Sequence, residues 1–458
     1  MFEGLGDDYL PAADNAWLRM DDRRNRMVIT AVLSFDEPVS YEDVVERFEE
    51  RLLNFDRFRQ RVVEPWHGLR PKLEFDPLFD VENHVSHVAL PEPQGEEEFQ
   101  EFVGDILDDP LDDSRPMWHA WLVEGVGDSN ALVVRIHHVL ADGFALLYVL
   151  YGLADDPGSI ELPIGSLPPL PGEEGFEEHV EAKGEAGGRG LLGGVELGSL
   201  RDEIEDAVDE GRETAKAVVD TLKLSREPDT VFRGDLALSK NVSWTDSFDL
   251  DRVKLVSHAL DGTVNDFLMA ATAGAFRRYM FERDQVVADG LELRSAMPVN
   301  LKPLEHRDEP LGNYFGFGFV ELPVGTEGIE QRVEFIQERT GMLKQGTDAY
   351  MMYRVLKTVG AMPDSVQDVA SLGFRGRVTA AISNVPGPVD SLEIAGSEVE
   401  DLMFWVPTSE DIGVGVSILS YDGDVRVGVA TDERLVPDPE ALAEAFEEEV
   451  EAAYEQYV

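Results

Sequence analysis

The chain has 458 residues, more than a single ordinary core accommodates, so two domains or two halves of one large unit are expected. It contains no cysteine, which excludes disulfides, thiolate nucleophiles and cysteine-ligated zinc sites. A formal net charge of −53 disfavours nucleic-acid binding, because phosphate contacts need a basic face.

The acidic residues are spread through every segment, and only nine of the 39 basic residues are lysine. Such a surface repels itself in dilute buffer, whereas at molar salt the Debye length falls to roughly 3 Å and the repulsion is screened. The composition therefore predicts a cytoplasmic protein of a high-salt cell, with an ordinary acidic protein as the alternative. The first residues lack a signal-peptide pattern, and the longest apolar stretch, 144–154, is too short to span a bilayer.

The first part of the chain alternates strand and helix patterns. Residues 26–38 are β-branched and apolar and predict a strand. Residues 40–55 carry apolar side chains at helical spacing behind Ser40, a suitable N-cap. Residues 132–138 predict another strand, and the apolar stretch that follows predicts a buried helix.

The middle of the chain differs in composition. Residues 155–172 carry five prolines, residues 184–198 are rich in glycine, and residues 200–223 have a polar helical pattern. The sequence therefore predicts an N-terminal half, an acidic crossover and a C-terminal half, with the bounds 1–155, 156–235 and 236–458.

The second half returns to intermixed strands and helices. Residues 241–260 predict a strand and then a helix, and residues 414–432 predict a hairpin that turns at Asp422–Gly423. Further strands are predicted at 292–301, 314–324 and 378–389, and helices at 263–283 and 439–458. This alternation is typical of a mixed α/β fold.

Two adjacent histidines interrupt an apolar strand pattern in the segment VVRIHHVLADGFALLYVL (133–150). Side chains alternate along a strand, so His138 is expected on the apolar, inward face and His137 on the more polar face that carries Arg135. Asp142 precedes the next helix and is a good N-cap.

His138 can act as a general base, because the unperturbed pKa of histidine is about 6.5. Gly143 allows the backbone to turn or to approach a ligand closely. One alternative is that both histidines are hydrogen-bonded strand-end residues and that Asp142 only caps the helix. A metal site built on His-His-x-x-x-Asp is a weaker alternative, since the two imidazoles face apart on a strand.

The segment HHVLADG (137–143) resembles the HHxxxDG motif of the bacterial wax ester synthase/diacylglycerol acyltransferase family, within the HxxxD superfamily of CoA-dependent acyltransferases. Other segments resemble the same family in the expected order. They include PAADNAWLRMD (11–21), FDRFRQRV (55–62), RPMWHAWLVEG (115–125), LGNYFGFGFVELPV (311–324) and SNVPGP (383–388). The resemblance runs nearly end to end, apart from residues 155–235.

The resemblance implies two chloramphenicol-acetyltransferase-like halves with mixed sheets and flanking helices, and an active-site tunnel between them. His138 would deprotonate the acceptor hydroxyl, which attacks the thioester carbonyl of acyl-CoA. Asp142 would support the loop through an arginine pair. Asn265 would donate to the oxyanion or hold the site, although Asn265 and Asp266 can equally form a helix cap after Thr263.

Five more residues are candidates for substrate binding. Trp118 belongs to a Pro-Met-Trp triplet where the family commonly has Pro-Leu-Trp. Arg57 and Arg59 are candidates for docking the CoA phosphates, because eleven of the 39 basic residues lie in the first 75 positions; the alternative is salt bridges on an acidic surface. Asn313 can equally mark a strand start, and Asn384 precedes a rigid Pro-Gly-Pro turn.

The sequence therefore predicts an O-acyltransferase that moves a long-chain acyl group from acyl-CoA to a fatty alcohol or diacylglycerol, without a metal or redox cofactor. The alternatives are a related acyltransferase with another alcohol acceptor or a carrier-protein donor, a non-catalytic lipid-binding protein, and a metal-dependent hydrolase. No nucleic-acid partner is expected. Peripheral contact with a membrane or a lipid inclusion is compatible with the sequence.

Overall fold

The computed structural model describes residues 9–64, 70–157, 225–301, 311–345, 348–361, 376–408 and 411–458. The polar helix predicted at 200–223 and most of the predicted crossover lie outside the described residues.

The helices pack on the faces of the sheets, and most of them follow the predicted apolar periodicity. They are α1 (Ala12–Met20), α2 (Tyr41–Glu50), α3 (Glu96–Asp108), α4 (Gly143–Leu153), α5 (Leu250–Ala259), α6 (Val264–Glu282), α7 (Ile329–Gln345), α8 (Asp348–Gly360) and α9 (Pro439–Tyr457). The helix predicted over 40–55 ends as an α-helix at Glu50 and continues as two short 3₁₀ turns, Leu52–Asn54 and Asp56–Arg59.

The strands include every predicted apolar and β-branched segment, together with several strands that the sequence analysis did not predict. They are β1 (Val28–Phe35), β2 (Gln60–Val63), β3 (Lys72–Phe75), β4 (Val85–Ala89), β5 (Trp118–Val126), β6 (Ser129–His137), β7 (Lys240–Trp244), β8 (Phe248–Asp249), β9 (Leu293–Asn300), β10 (Phe315–Leu322), β11 (Ala380–Pro386), β12 (Leu392–Ile394), β13 (Ser397–Trp405), β14 (Val414–Tyr421) and β15 (Asp424–Asp432).

The strands form two large mixed sheets and one small ribbon. The first sheet has the order β12-β13-β1-β6-β5-β4, and the second has the order β10-β9-β11-β14-β15-β7, with β8 added beside β15. Each sheet contains parallel and antiparallel pairs: β4 and β5 are parallel, as are β11 and β14, whereas β1 and β6 are antiparallel. The molecule is therefore a mixed α/β protein with two large mixed sheets, which confirms the predicted fold class.

The two sheets do not follow the predicted boundaries of the halves. Residues 236–458 were predicted to form one half, but β12 and β13 from this range pair with β1 of the first sheet, with Thr30 opposite Trp405. One edge of β1 pairs with β13, which lies far away in the sequence, and local composition does not predict such a pairing. This exchange ties the two halves together through the pairing of β13 with β1.

Three apolar clusters make up most of the buried interior. One lies under α2 and α4 on the first sheet, and another surrounds α6 and α9 on the second sheet. The third contains Val133, Trp244 and Trp405 and joins the far face of the first sheet to the second half. None of the described helices is long and apolar enough to cross a membrane.

Both faces of β6 are buried, which corrects the expectation that one face is polar. Val133 is 0% exposed and Arg135 is 1% exposed, because α3 and residues from the second half cover this face. Nη2 of Arg135 donates to the backbone carbonyls of Leu107 and Asp109, at 3.0 and 2.8 Å, which offsets part of the cost of burying the guanidinium. Its Nε is buried without a hydrogen-bond partner among the described residues.

The local capping signals act as predicted. Ser40 accepts a hydrogen bond from the backbone NH of Asp43, and Thr263 forms a capping box with Asp266 at the start of α6. Asp422 and Gly423, with φ angles of 45° and 81°, form the predicted turn between β14 and β15, and two positive φ angles favour Asp-Gly there.

Candidate active site

The segment after β6 forms a tight loop between the two histidines and α4. The backbone NH of His138 donates to the carbonyl of Met27 at 2.7 Å, and that of His137 donates to Met117 at 3.0 Å. At the far end of the loop, the NH of Asp142 donates to the carbonyl of Gly312 at 3.2 Å. Strand ends of the first sheet and a segment before β10 in the second half therefore hold the loop from both sides.

The imidazole of His138 is hydrogen-bonded across the two halves. Its Nδ1 lies 2.8 Å from Oδ1 of Asn313, and Nδ2 of Asn313 donates back to the carbonyl of His138 at 2.7 Å. Because Asn313 uses its NH₂ group as the donor, its Oδ1 is an acceptor, and Nδ1 of His138 must carry the proton. The lone pair of the neutral ring is then on Nε2, which makes no hydrogen bond within the described part of the chain.

Asp14 on α1 lies behind Asn313. Its Oδ1 accepts hydrogen bonds from the backbone NH and from Nδ2 of Asn313, at 3.1 and 2.9 Å. Its Oδ2 accepts one from Arg57 at 2.7 Å, and Arg57 also donates to the carbonyls of Val139 and Leu140 in the loop after β6. Asp14 is 1% exposed and Arg57 is 7% exposed, so the pair is a buried ion pair.

Aromatic rings enclose His138. The ring of Trp17 stacks on the imidazole with a centroid distance of 4.5 Å and an angle of 17°, and Phe315 lies 5.4 Å away. Burial in this surrounding lowers the pKa of His138 to about 4, although the hydrogen bond to Asn313 opposes the shift. The imidazole is therefore neutral at neutral pH, as a general base must be.

His137 plays a different part in the loop. Its Nδ1 accepts a hydrogen bond from the NH of Val139 at 2.9 Å, and its ring is 1% exposed. Burial, together with the nearby charges of His138 and Arg26, lowers its pKa to about 3. The two imidazoles thus make separate contacts, and the role that geometry supports for His137 is to hold the turn.

Asp142 links the loop to α4 and to the second half. Its Oδ1 caps α4 by accepting from the NH of Ala145, and its Oδ2 accepts from the NH of Tyr314, both at 2.9 Å. The predicted N-cap is confirmed, and the arginine pair expected for this carboxylate stays a prediction. Gly143 is the first residue of α4, and its backbone is not in the left-handed region. The special turn expected at this glycine is therefore not observed, and a Cβ at this position would meet open space.

Asn265 and Asn384 form a second polar pair in the other half. Nδ2 of Asn384, on β11, donates to Oδ1 of Asn265 in the first turn of α6 at 2.9 Å. Asp266 makes the capping box with Thr263 and also accepts from Thr340, so the capping alternative holds for this residue. Neither asparagine is hydrogen-bonded to the His138 cluster in the ranges that the structure describes.

The remaining candidates lie away from the imidazole. Trp118 is buried, donates to the carbonyl of Phe58 at 2.9 Å and stacks on His84, which is the environment of a core residue. Arg59 pairs with Asp56 and lies 5.3 Å from the ring centroid of Phe75. The contacts of Arg59 therefore support the alternative of a salt bridge on the surface, whereas Arg57 forms a buried ion pair with Asp14.

Within the described ranges, no group of three or more His, Asp or Glu side chains is placed to hold a metal ion. A small cleft of about 40 Å³ is lined by Arg26, Val28, Lys240 and Trp405, among others, but not by His138. The tunnel that the resemblance implies therefore stays a prediction.

Sequence reasoning missed the roles of Asp14 and Trp17. Both lie in the segment PAADNAWLRMD, which carries the family resemblance, but no function follows from that segment by itself. Their spacing of three residues was the available signal, because residues i and i+3 of a helix share a face. The contact of that face with Asn313 and His138 depends on the tertiary fold.

Comparison with known proteins identifies the family of the chain. The wax ester synthase/diacylglycerol acyltransferase catalytic domain matches residues 10–268, and the C-terminal domain of the same family matches residues 311–453. A Mycobacterium tuberculosis protein described as a probable diacylglycerol O-acyltransferase is 27% identical, over 97% of this chain and 95% of its own.

Two solved structures share the fold. The wax ester synthase/diacylglycerol acyltransferase of Marinobacter aquaeolei superposes with a TM-score of 0.68 at 22% identity and covers 98% of this chain and 99% of its own. The first condensation domain of the calcium-dependent antibiotic synthetase superposes with a TM-score of 0.60 at 14% identity, over 99% and 96% of the two chains. Since the catalytic-domain match spans more than half of the residues, this chain belongs to the wax ester synthase/diacylglycerol acyltransferase family.

Proposed function

We propose that the chain transfers a long-chain acyl group from acyl-CoA to the hydroxyl of a fatty alcohol or a diacylglycerol, with His138 as the general base. Membership of the family supports acyl transfer of the kind that makes wax esters or triacylglycerols. The chemistry assigned to His138 rests on the geometry of its ring.

The reaction needs one base and one stabilised oxyanion. Nε2 of His138 takes the proton of the acceptor hydroxyl while the hydroxyl oxygen attacks the thioester carbonyl. The tetrahedral oxyanion that forms then collapses, the carbon–sulfur bond breaks, and the imidazolium returns its proton to the CoA thiolate. No acyl-enzyme intermediate is required, because the acceptor oxygen itself is the nucleophile.

The single observation that carries the proposal is the hydrogen bond between Nδ1 of His138 and Oδ1 of Asn313. This hydrogen bond supports a proton on Nδ1 and, with it, Nε2 as the basic nitrogen. Burial against Trp17 keeps the ring neutral and excludes water that would compete with the alcohol.

Asn265 is proposed to donate to the oxyanion. Oδ1 of Asn265 accepts a hydrogen bond from Asn384. The NH₂ group of Asn265 therefore remains available to donate to an oxyanion. We further propose that the protein contacts a membrane or a lipid inclusion peripherally, because the expected acceptors and products are apolar.

The test follows thiol release from a long-chain acyl-CoA, with fatty alcohols and diacylglycerol as acceptors, in molar KCl. His138→Asn retains a donor that can reach Asn313 but lacks Nε2, so its kcat falls by about 100-fold or more. His137→Asn is the matched control, because the asparagine oxygen can still accept from Val139, and its kcat stays within a few-fold of wild type. Wild-type turnover by folded His138→Asn protein would overturn the general-base assignment.

The same assay also distinguishes the proposed lipid acceptor and CoA donor from the alternative acceptors and donors. Thiol release only with short or cyclic alcohols would replace the lipid acceptor, and transfer only from an acyl-carrier protein would replace CoA as the donor. In either case the dependence on His138 would remain.

A further inference from the structure

Asp14 occupies an unusual position for a buried carboxylate, since it contacts both halves of the molecule. It is carried by α1, it pairs with Arg57 of the first half, and it binds the backbone and side-chain amide of Asn313 in the second half. The ion pair with Arg57 offsets part of the cost of burying the charge. The two hydrogen bonds to Asn313 point toward the catalytic imidazole.

The chemistry of this position requires a group that only accepts. Oδ2 faces the guanidinium of Arg57, and Oδ1 faces two NH groups of Asn313. An ionised carboxylate satisfies both sides, because it has acceptors and no donor. A neutral amide at position 14 would direct its NH₂ group either at Arg57 or at Asn313, and each arrangement leaves a donor facing a donor.

The orientation of the Asn313 amide follows from this requirement. With Asp14 on one side, Nδ2 of Asn313 points to the carboxylate, and the carbonyl of His138 receives a second hydrogen bond from the same nitrogen. Oδ1 of Asn313 is then directed to Nδ1 of His138. If the amide reversed, its NH₂ group would face Nδ1, which would favour the tautomer with the proton on Nε2 and remove the base.

We propose that Asp14 is a positioning residue for acyl transfer, which acts through Asn313 to hold His138 in the tautomer with its lone pair on Nε2. This inference rests on the proposed function, because it needs His138 to be the base. Asp14 itself does not reach the reacting atoms. Its effect is to select one of two proton positions on a ring that another residue orients.

The kinetic test compares two isosteric changes. Asp14→Asn lowers kcat by about 100-fold or more, while the KM for acyl-CoA stays within about threefold, because the base is lost and the binding surface is unchanged. Asp432→Asn is the matched control: Asp432 is 0% exposed and accepts from Ala237 and Lys240, so its replacement lowers stability and leaves kcat near wild type. Circular dichroism and thermal unfolding identify the folded variants.

A second measurement determines the tautomer of His138 directly and does not depend on enzymatic activity. Protein labelled with ¹⁵N-histidine is measured by NMR, and the His138 signals are assigned by their disappearance in His138→Asn. The wild type is expected to show Nδ1 protonated and Nε2 unprotonated, and Asp14→Asn to show a change toward the opposite tautomer. The wild-type spectrum tests the inference even if Asp14→Asn fails to fold.

The outcomes separate the two proposals. If His138→Asn is active, the general-base assignment fails. If His138→Asn is inactive but Asp14→Asn has the kcat and spectrum of the wild type, the role of Asp14 fails alone. A wild-type His138 protonated on Nε2 would also overturn the role of Asp14.

Discussion

The side-chain oxygen of Asn313 lies 2.8 Å from Nδ1 of His138, although 175 positions separate the two residues in the chain. His138 directly follows β6 of the first sheet, and Asn313 lies in the segment before β10 of the second. The imidazole is therefore oriented by the half of the molecule that does not carry it. Any change that separates the halves should therefore remove the hydrogen bond that orients the proposed base, without altering the HHxxxDG segment.

The contrast between Arg57 and Arg59 predicts different effects of neutral substitutions. Arg57→Met leaves the buried carboxylate of Asp14 without its cation and is expected to lower the free energy of unfolding by about 3–5 kcal/mol. Arg59→Met breaks a partly exposed pair with Asp56 and is expected to cost less than about 1 kcal/mol. Urea unfolding in molar KCl measures both values.

The same variants test the docking of CoA phosphates. An unchanged KM for acyl-CoA in Arg59→Met would support the salt-bridge alternative. A rise of about tenfold in this KM would instead support the interpretation that Arg59 binds a CoA phosphate. Equal losses of stability in the two variants would contradict the burial argument.

The pH dependence of acyl transfer should reflect the lowered pKa of His138. Only the neutral ring accepts a proton, and burial lowers its pKa to about 4. The value of kcat/KM is therefore expected to stay level from about pH 8 to about pH 5.5, instead of falling near the ordinary histidine pKa of about 6.5. Initial rates at saturating acceptor, after a check for reversible inactivation, measure the profile; a decline centred near about pH 6.5 would contradict the buried, neutral ring.

Stability should fall over the same acidic range. The pKa of His137 is lowered from 6.5 to about 3 by burial, so the unfolded state binds more protons than the folded state between these values. The free energy of unfolding therefore decreases as the pH falls below about 6.5 and continues to decrease toward the folded pKa. His137→Asn removes this group, and its unfolding free energy should decline less steeply with falling pH than that of the wild type.

The proposed oxyanion role of Asn265 can be tested by an isosteric change. Asn265→Asp can still accept from Asn384 but has no amide donor, and its kcat is expected to fall by about 100-fold with a smaller change in KM. Asn384→Ala keeps the donor of Asn265 and loses only its anchor, so the expected loss is several-fold. Thiol release measures both, and an equal loss in the two variants would indicate that the pair only holds the fold.

We propose that folding requires high salt, because the acidic surface repels itself unless salt screens the charges. The dependence of thermal stability on salt concentration measures this effect. α9 carries Glu440, Glu444, Glu451 and Glu455 and no basic residue, so it faces its surroundings with like charges. Raising KCl from about 0.1 M to about 2 M shortens the Debye length to a few ångströms and should raise the thermal midpoint by at least about 5 °C. A neutral osmolyte at equal osmolality is the control; an equal rise in the osmolyte would show that charge screening is not the cause.

The sequence by itself determined most of the secondary structure and the identity of the central histidine. The strand that ends at His137, the helix capped by Asp142 and the turn at Asp422–Gly423 all follow from local rules, because periodicity, capping and positive φ angles act over a few residues. The resemblance carried by HHVLADG likewise depends on a contiguous segment.

Only the tertiary structure decided how that histidine is held. The pairing of β13 with β1, the burial of Arg135, and the contacts of Asp14, Trp17 and Asn313 join residues far apart in the chain. The local sequence pattern cannot predict these contacts, because hydrogen bonds and ring stacking between distant residues depend on which parts of the folded chain lie against each other. The protonated nitrogen of His138, on which the proposed chemistry depends, is therefore a property of the assembled halves.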